Sequence, residues 1–198
     1  MDLAMVPGTF NEETKSAGVH PLKFALILII VSIVMMFAAF TSAYIVRRAE
    51  GNWLEFELPN ILFIDTVIIL LSSVSMQWAY FAARNNKLGV LKTMLLLTFG
   101  LGVAFLAGQF DGWAELVRNN VFFGGTESNP AGSFLYVLTG VHGFHLISGL
   151  IFILAVLIAS FRYKVHSKNM LRIQLCTIYW HFLGALWLYL YIFLRINH

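Results

Sequence analysis

The sequence predicts an all-α polytopic membrane protein, a single bundle of five transmembrane helices with its N-terminus inside and its C-terminus outside. Three observations predict it. Of 198 residues, 59% are hydrophobic and only 12% charged, far from the balance of a soluble globular domain. The apolar residues are gathered into five runs, each long enough for a hydrocarbon core that takes roughly 20 helical residues to cross. Finally, nine of the 13 Lys and Arg residues fall on one side when the runs are threaded back and forth.

Residues 1–20 are expected to form a short cytoplasmic tail, because Asp2, Glu12 and Glu13 against Lys15 is the wrong charge balance for a secretory signal. The first run, about 22–46, has only Ser32, Thr41 and Ser42 as polar relief after Lys23, and it stops at Arg47-Arg48. The second, about 60–83, follows Pro59, contains Asp65 and ends at the basic cluster Arg84, Lys87 and Lys92. The third spans about 91–108, the fourth about 132–160 and the fifth about 173–194. Each must be helical, since unpaired backbone groups are too costly in lipid and the runs are too long and too few for a barrel. The outer connection from about Gln109 to Ala131 carries Gly124-Gly125, Asn129-Pro130 and Gly132, which mark turns. With no internal repeat and no room for an extramembrane module, the whole chain, 1–198, reads as one domain.

Orientation follows from the basic residues, which resist translocation. Lys15, Lys23, Arg84, Lys87, Lys92, Arg162, Lys164, Lys168 and Arg172 lie inside, against Arg47, Arg48, Arg118 and Arg195 outside. Glu50, Glu55, Glu57, Asp111, Glu115 and Glu127 give the outer face an acidic tint. Trp53, Trp113, Trp187, Tyr189 and Tyr191 fit an outer aromatic belt, and Trp78 and Tyr80 an inner one. The formal charge of +3 is this edge enrichment and implies no nucleic acid partner. Cys176 is the single cysteine, so neither a disulfide nor a cysteine metal site forms within the chain.

Gly100, Ala104, Gly108 and Gly112 recur every fourth residue, a small-residue stripe that lets another helix approach closely. His142 and His145 share a helical face, and His181 lies at similar depth at about 1.5 Å rise per residue. Two readings stand for these histidines: a haem or metal site, or neutral imidazoles hydrogen-bonded across helices. Asp65 is shallow enough to be hydrated or to bond Thr66 and a neighbouring helix, and it reads as a structural carboxylate near the outer edge. Gln109 and Glu115 sit at the outer end of the third helix, where water or a neighbouring subunit would satisfy them. No opposed carboxylates form an acid-base site, and no catalytic residue is assigned.

Thr139 to Gly149, TGVHGFHLISG, and Tyr179 to Tyr191, YWHFLGALWLYLY, together resemble subunit III of the haem-copper respiratory oxidases. Weaker similarity lies in Ser72 to Ala79, SSVSMQWA, and in Gln109 and Trp113 at the spacing of the family's Gln-x-x-Glu-Tyr/Trp motif. The likeness covers all five spans and is closest to the short bacterial form, without the two extra N-terminal helices of the seven-span type. It implies an accessory subunit of the bacterial cytoplasmic (inner) membrane that holds no haem or copper, those being in partner subunits. Its main partner would be catalytic subunit I, with subunit II and other respiratory-complex subunits around it, and phospholipids would occupy its helical clefts. The complex would reduce oxygen to water with cytochrome c or a quinol as donor, and this subunit would stabilise it and support rapid proton uptake.

The resemblance makes His142, His145, Gln109, Trp113, Trp180, His181 and Trp78 structural motif residues and assigns no metal ligand. Three positions depart from the family by losing an acid: Ile33, Gly112 and Gly184. Two alternatives accompany this reading. One is a subunit-III-like protein of a nitric oxide reductase system; the other is a small membrane cytochrome with His142 or His145 and His181 as axial ligands.

Overall fold

A computed structural model describes residues 20–51, 53–54, 56, 58–125, 128–162 and 170–197. Nearly all of the expected tail, with Lys15, and also Lys164, Lys168, Glu55, Glu57 and Glu127 lie outside the described residues. Five helices make up the fold: α1 Pro21–Ala49, α2 Ile61–Arg84, α3 Leu88–Arg118, α4 Pro130–Phe161 and α5 Leu171–Asn197. All five are long and apolar enough to cross a membrane, and no strand occurs among the described residues, so this is an all-α multi-pass membrane protein.

Local sequence sets the helix ends. Pro21 and Pro130 open α1 and α4, where a missing N–H costs nothing, and the side chains of His20 and Asn129 accept from Leu22 N and Ala131 N at 3.3 and 3.0 Å. At the other end α2 and α3 close in the same way. Asn86 and Asn120 take the left-handed conformation, φ 55° and 58°, which asparagine tolerates better than most residues. The next residues then reach back, Lys87 N to Ala82 O and Val121 N to Leu116 O, both at 2.9 Å. The first of these closures folds α3 straight back against α2 as an antiparallel hairpin.

α3 outruns the apolar segment that announced it. Helix continues through Gln109, Gly112 and Trp113 to Arg118, so the connection from α3 to α4 begins at Asn119 and not at Gln109. The reason is amphipathicity: Gly108, Gln109, Gly112 and Leu116 face the bundle while Asp111 and Glu115 face outward.

α5 is the central helix, packed against α1, α2 and α4. It buries Cys176, Trp180, Leu183, Trp187 and Leu190 along its length. Trp187 is therefore a core residue at 1% exposure and not part of an outer aromatic belt. α1 is peripheral; it packs on α4 and α5 and buries a single stripe, Ile33, Phe37, Thr41 and Tyr44.

The small-residue stripe divides. Four residues overshoot a helical turn by about 40°, so a stripe at that spacing winds around the helix. Gly108 and Gly112 face α2, whereas Gly100 and Ala104 are exposed on the outside of the bundle, and a Cβ added at Gly100 would meet nothing within 4 Å. Close approach near this level of α3 comes instead at Gly102, where a Cβ would lie 2.8 Å from the Trp180 ring. Gly149 of α4 makes a matching notch, 3.3 Å from the same ring. Two glycines on two helices thus seat one tryptophan of α5.

Candidate functional site

α2 turns a polar face into the bundle, and neighbouring helices meet it group by group. Near the N-terminal end of α2, Gln109 Nε2 donates to Asp65 Oδ2 at 2.6 Å, both side chains being buried. One residue on, Thr66 Oγ1 donates to Leu62 O and accepts from Trp187 Nε1 at 3.0 Å. Ser72 repeats the device deeper down, donating to Ile69 O and accepting from Trp180 Nε1 at 3.1 Å. The hydroxyls of Ser75 and Thr98 meet at 2.7 Å, and His181 Nε2 lies 3.0 Å from Gln77 Oε1. Each hydroxyl that bonds its own helix's carbonyl keeps lone pairs for an indole N–H, which is why Ser or Thr opposite Trp recurs here.

Asp65 is fully buried, and of the expected alternatives, hydration or a bond to Thr66 and a neighbouring helix, it bonds the neighbouring helix. Its partner is Gln109 and not Thr66, and Gln109 in turn needs no water or second subunit for that bond. Gly108 makes the arrangement possible, because any Cβ there would fall on the Asp65 carboxyl group. Gly112 and Gly184, two of the three positions without the family's acid, are also places where α2 comes close. A Cβ would stand 3.0 Å from Ile61 Cγ2 at the first and 3.0 Å from Ser73 Oγ at the second. Ile33, the third, is a buried residue of α1.

The three intramembrane histidines do not converge. His145 uses Nδ1 against its own helix, 2.8 Å from Val141 O, and packs edge-on to Phe37 of α1. His142, without any exposed surface, lies between Phe105 of α3 and Trp187 of α5, with ring centroids 5.9 and 5.2 Å away. His181 faces Gln77 of α2. The cross-helix hydrogen bond expected of neutral histidines therefore holds for His181 alone. Among the described residues no group of three or more His, Cys, Asp or Glu side chains lies together. For the remaining motif residues, Trp113 Nε1 donates to Thr139 Oγ1 at 3.0 Å, and Trp78 stands 62% exposed on the outside of α2.

At the end of the bundle where α1 and α5 begin, Lys23, Gln77, Tyr80, Gln174, Thr177 and Ile178 line an open cavity of about 230 Å³ between α1, α2 and α5. α1 and α2 make no close backbone approach, so α5 forms its floor.

Four polar groups of the two most distinctive segments, Thr139, Trp180, His181 and Trp187, are thus joined to α2 or α3. Against known proteins, the family model described as cytochrome c oxidase subunit III matches residues 2–197. The chain belongs to the cytochrome c oxidase subunit III family. Within that family it is 29% identical over 178 residues to cytochrome bo(3) ubiquinol oxidase subunit 3 of Buchnera aphidicola subsp. Schizaphis graminum, covering 88% of this chain and 93% of that one. It is 32% identical over 178 residues to cytochrome c oxidase subunit 3 of Synechocystis sp., covering 85% and 72%. To cytochrome c oxidase subunit 3 of Petromyzon marinus it is 30% identical over 199 residues, covering 93% and 73%. Subunit III relatives of both cytochrome c and ubiquinol oxidases therefore resemble it along most of its length.

Sequence reasoning missed the Asp65–Gln109 pair. Their separation of 44 residues hides it, and the available signal was a lone acid in one apolar run with a bare glycine beside a glutamine in the next.

Proposed function

We propose that this chain is the non-redox accessory subunit III of a proton-pumping haem-copper terminal oxidase of aerobic respiration, which reduces oxygen to water, and that it stabilises catalytic subunit I. In this reading subunit I, subunit II and other subunits of the complex surround it, haem and copper reside in those partners, and the chain itself carries no catalytic centre. It sits in the bacterial cytoplasmic membrane with its N-terminus inside and its C-terminus outside. The electron donor is cytochrome c or a quinol, the two kinds named among its relatives. Phospholipid occupies its clefts, a role supported by the Lys23 amine at the inner cavity. Support of proton uptake by subunit I runs through groups other than Ile33, Gly112 and Gly184, none of which has an acid.

One observation carries the reading. The motif groups Trp180, His181 and Gln109 are bonded to side chains of neighbouring helices, as expected of residues that hold a bundle in shape. Gentle detergent purification through a tag on this chain tests it. Haem-containing large subunits should co-purify, and the isolated chain should show no visible absorption. A stoichiometric haem band on the isolated chain, lost on His181→Ala, would overturn the proposal in favour of a cytochrome.

A further inference from the structure

Four of the five buried side-chain N and O atoms without a protein partner among the described residues fall in one layer of the bundle: Asp65 Oδ1, Gln109 Oε1, and Nδ1 and Nε2 of His142. The fifth, Ser160 Oγ, is at the far end of α4. Trp187 ties the layer together, since its ring packs on both His142 and Phe105 and its N–H reaches Thr66, the neighbour of Asp65. Phe105 lies one helical turn before Gln109. Asp65, Gln109 and His142 are at most 2% exposed, so bulk solvent does not reach them.

Asp65 Oδ1 and Gln109 Oε1 both accept when the carboxyl group is ionised, whereas a protonated Oδ1 donates; whichever tautomer His142 adopts, one of its nitrogens is an acceptor and the other a donor. In either protonation state of the carboxyl group, His142 keeps one unmet donor and one unmet acceptor. In hydrocarbon each unmet group is costly, so native interiors bring in a partner, most often water, which offers two donors and two acceptors. We infer that the Asp65, Gln109 and His142 layer is an internal water-binding site, held between α2, α3, α4 and α5 and closed off by the rings of Phe105 and Trp187. The layer one step deeper is a built-in contrast, because Trp180 is as buried as Trp187, at 1%, while the polar groups around it, Ser72 and its own indole N–H, are satisfied.

Radiolytic hydroxyl footprinting in water enriched in oxygen-18, on the chain within its purified native complex, tests the inference, because radicals born from a bound water mark the side chains beside it. Trp187 should take up labelled oxygen several-fold faster than Trp180. In the double variant Asp65→Leu, Gln109→Leu the Trp187 rate should fall to that of Trp180. Equal labelling of the two tryptophans in the unsubstituted protein would overturn the site, and that comparison stands even where the variant fails to assemble. Unchanged Trp187 labelling in an assembled variant would overturn the assignment to Asp65 and Gln109, and a metal cation held there in place of water would leave Trp187 unlabelled.

Discussion

With Gln109 replaced by leucine, the Asp65 carboxyl group would keep its place in the Gly108 notch and lose the donor that offsets its burial. An orphaned buried polar group costs about 1–3 kcal/mol, so Gln109→Leu should lower the thermal midpoint of the detergent-solubilised protein. Gln109→Glu tests shape against charge, since it keeps the size of the side chain and sets a second acid against Asp65, and it should be at least as damaging. Gly108→Leu removes the notch itself. It should disrupt the α2–α3 hairpin outright, because inserting side chain into a filled interface typically costs about 1–3 kcal/mol even where the neighbours can shift. Gly100→Leu, on the outside of the same helix, should leave the thermal midpoint of the isolated chain unchanged. If it nevertheless reduces recovery of large subunits in a pull-down, that face of α3 is where a partner docks.

At the scale of elements, Trp180 is the wedge that sets α5 against α3 and α4, seated on Gly102 and Gly149 and bonded to Ser72 of α2. Trp180→Ala should cost about 3–5 kcal/mol as a large-to-small core change, read as loss of folded protein in detergent, while Ser72→Ala removes the hydroxyl's two bonds, leaves the buried Trp180 N–H without an acceptor and should cost about 1–3 kcal/mol. The elements were largely legible beforehand. Five apolar runs imply five helices because lipid leaves the backbone no other economical choice. What the runs do not reveal is where a helix becomes amphipathic and continues past its apolar part, as α3 does from Gln109 to Arg118. Nor does spacing by four reveal which face is used, since the stripe drifts from the outside at Gly100 to the interface at Gly108. The motif histidines were recognisable as residues that matter, but Gln77 beside His181 and the aromatic pair around His142 belong to tertiary structure and leave no local trace; only Val141, one turn before His145 on the same helix, is a local partner.

For the molecule as a whole, orientation is the global property that the distribution of Lys and Arg predicts, and it can be read directly. In a Cys176→Ser background, a membrane-impermeant maleimide added to intact spheroplasts should label Arg118→Cys and spare Arg84→Cys; the reverse pattern would invert the topology. The packing of α1 adds a consequence in time. This helix leaves the ribosome first, yet its contacts are with α4 and α5, which come last. At roughly 5–20 residues per second, several seconds separate its synthesis from the arrival of α4. During that interval the stripe from Ile33 to Tyr44 has only lipid, the translocon or a chaperone to face. Completion of the bundle is therefore a late event in biogenesis, and truncation before α4 should leave the first helix inserted but undocked.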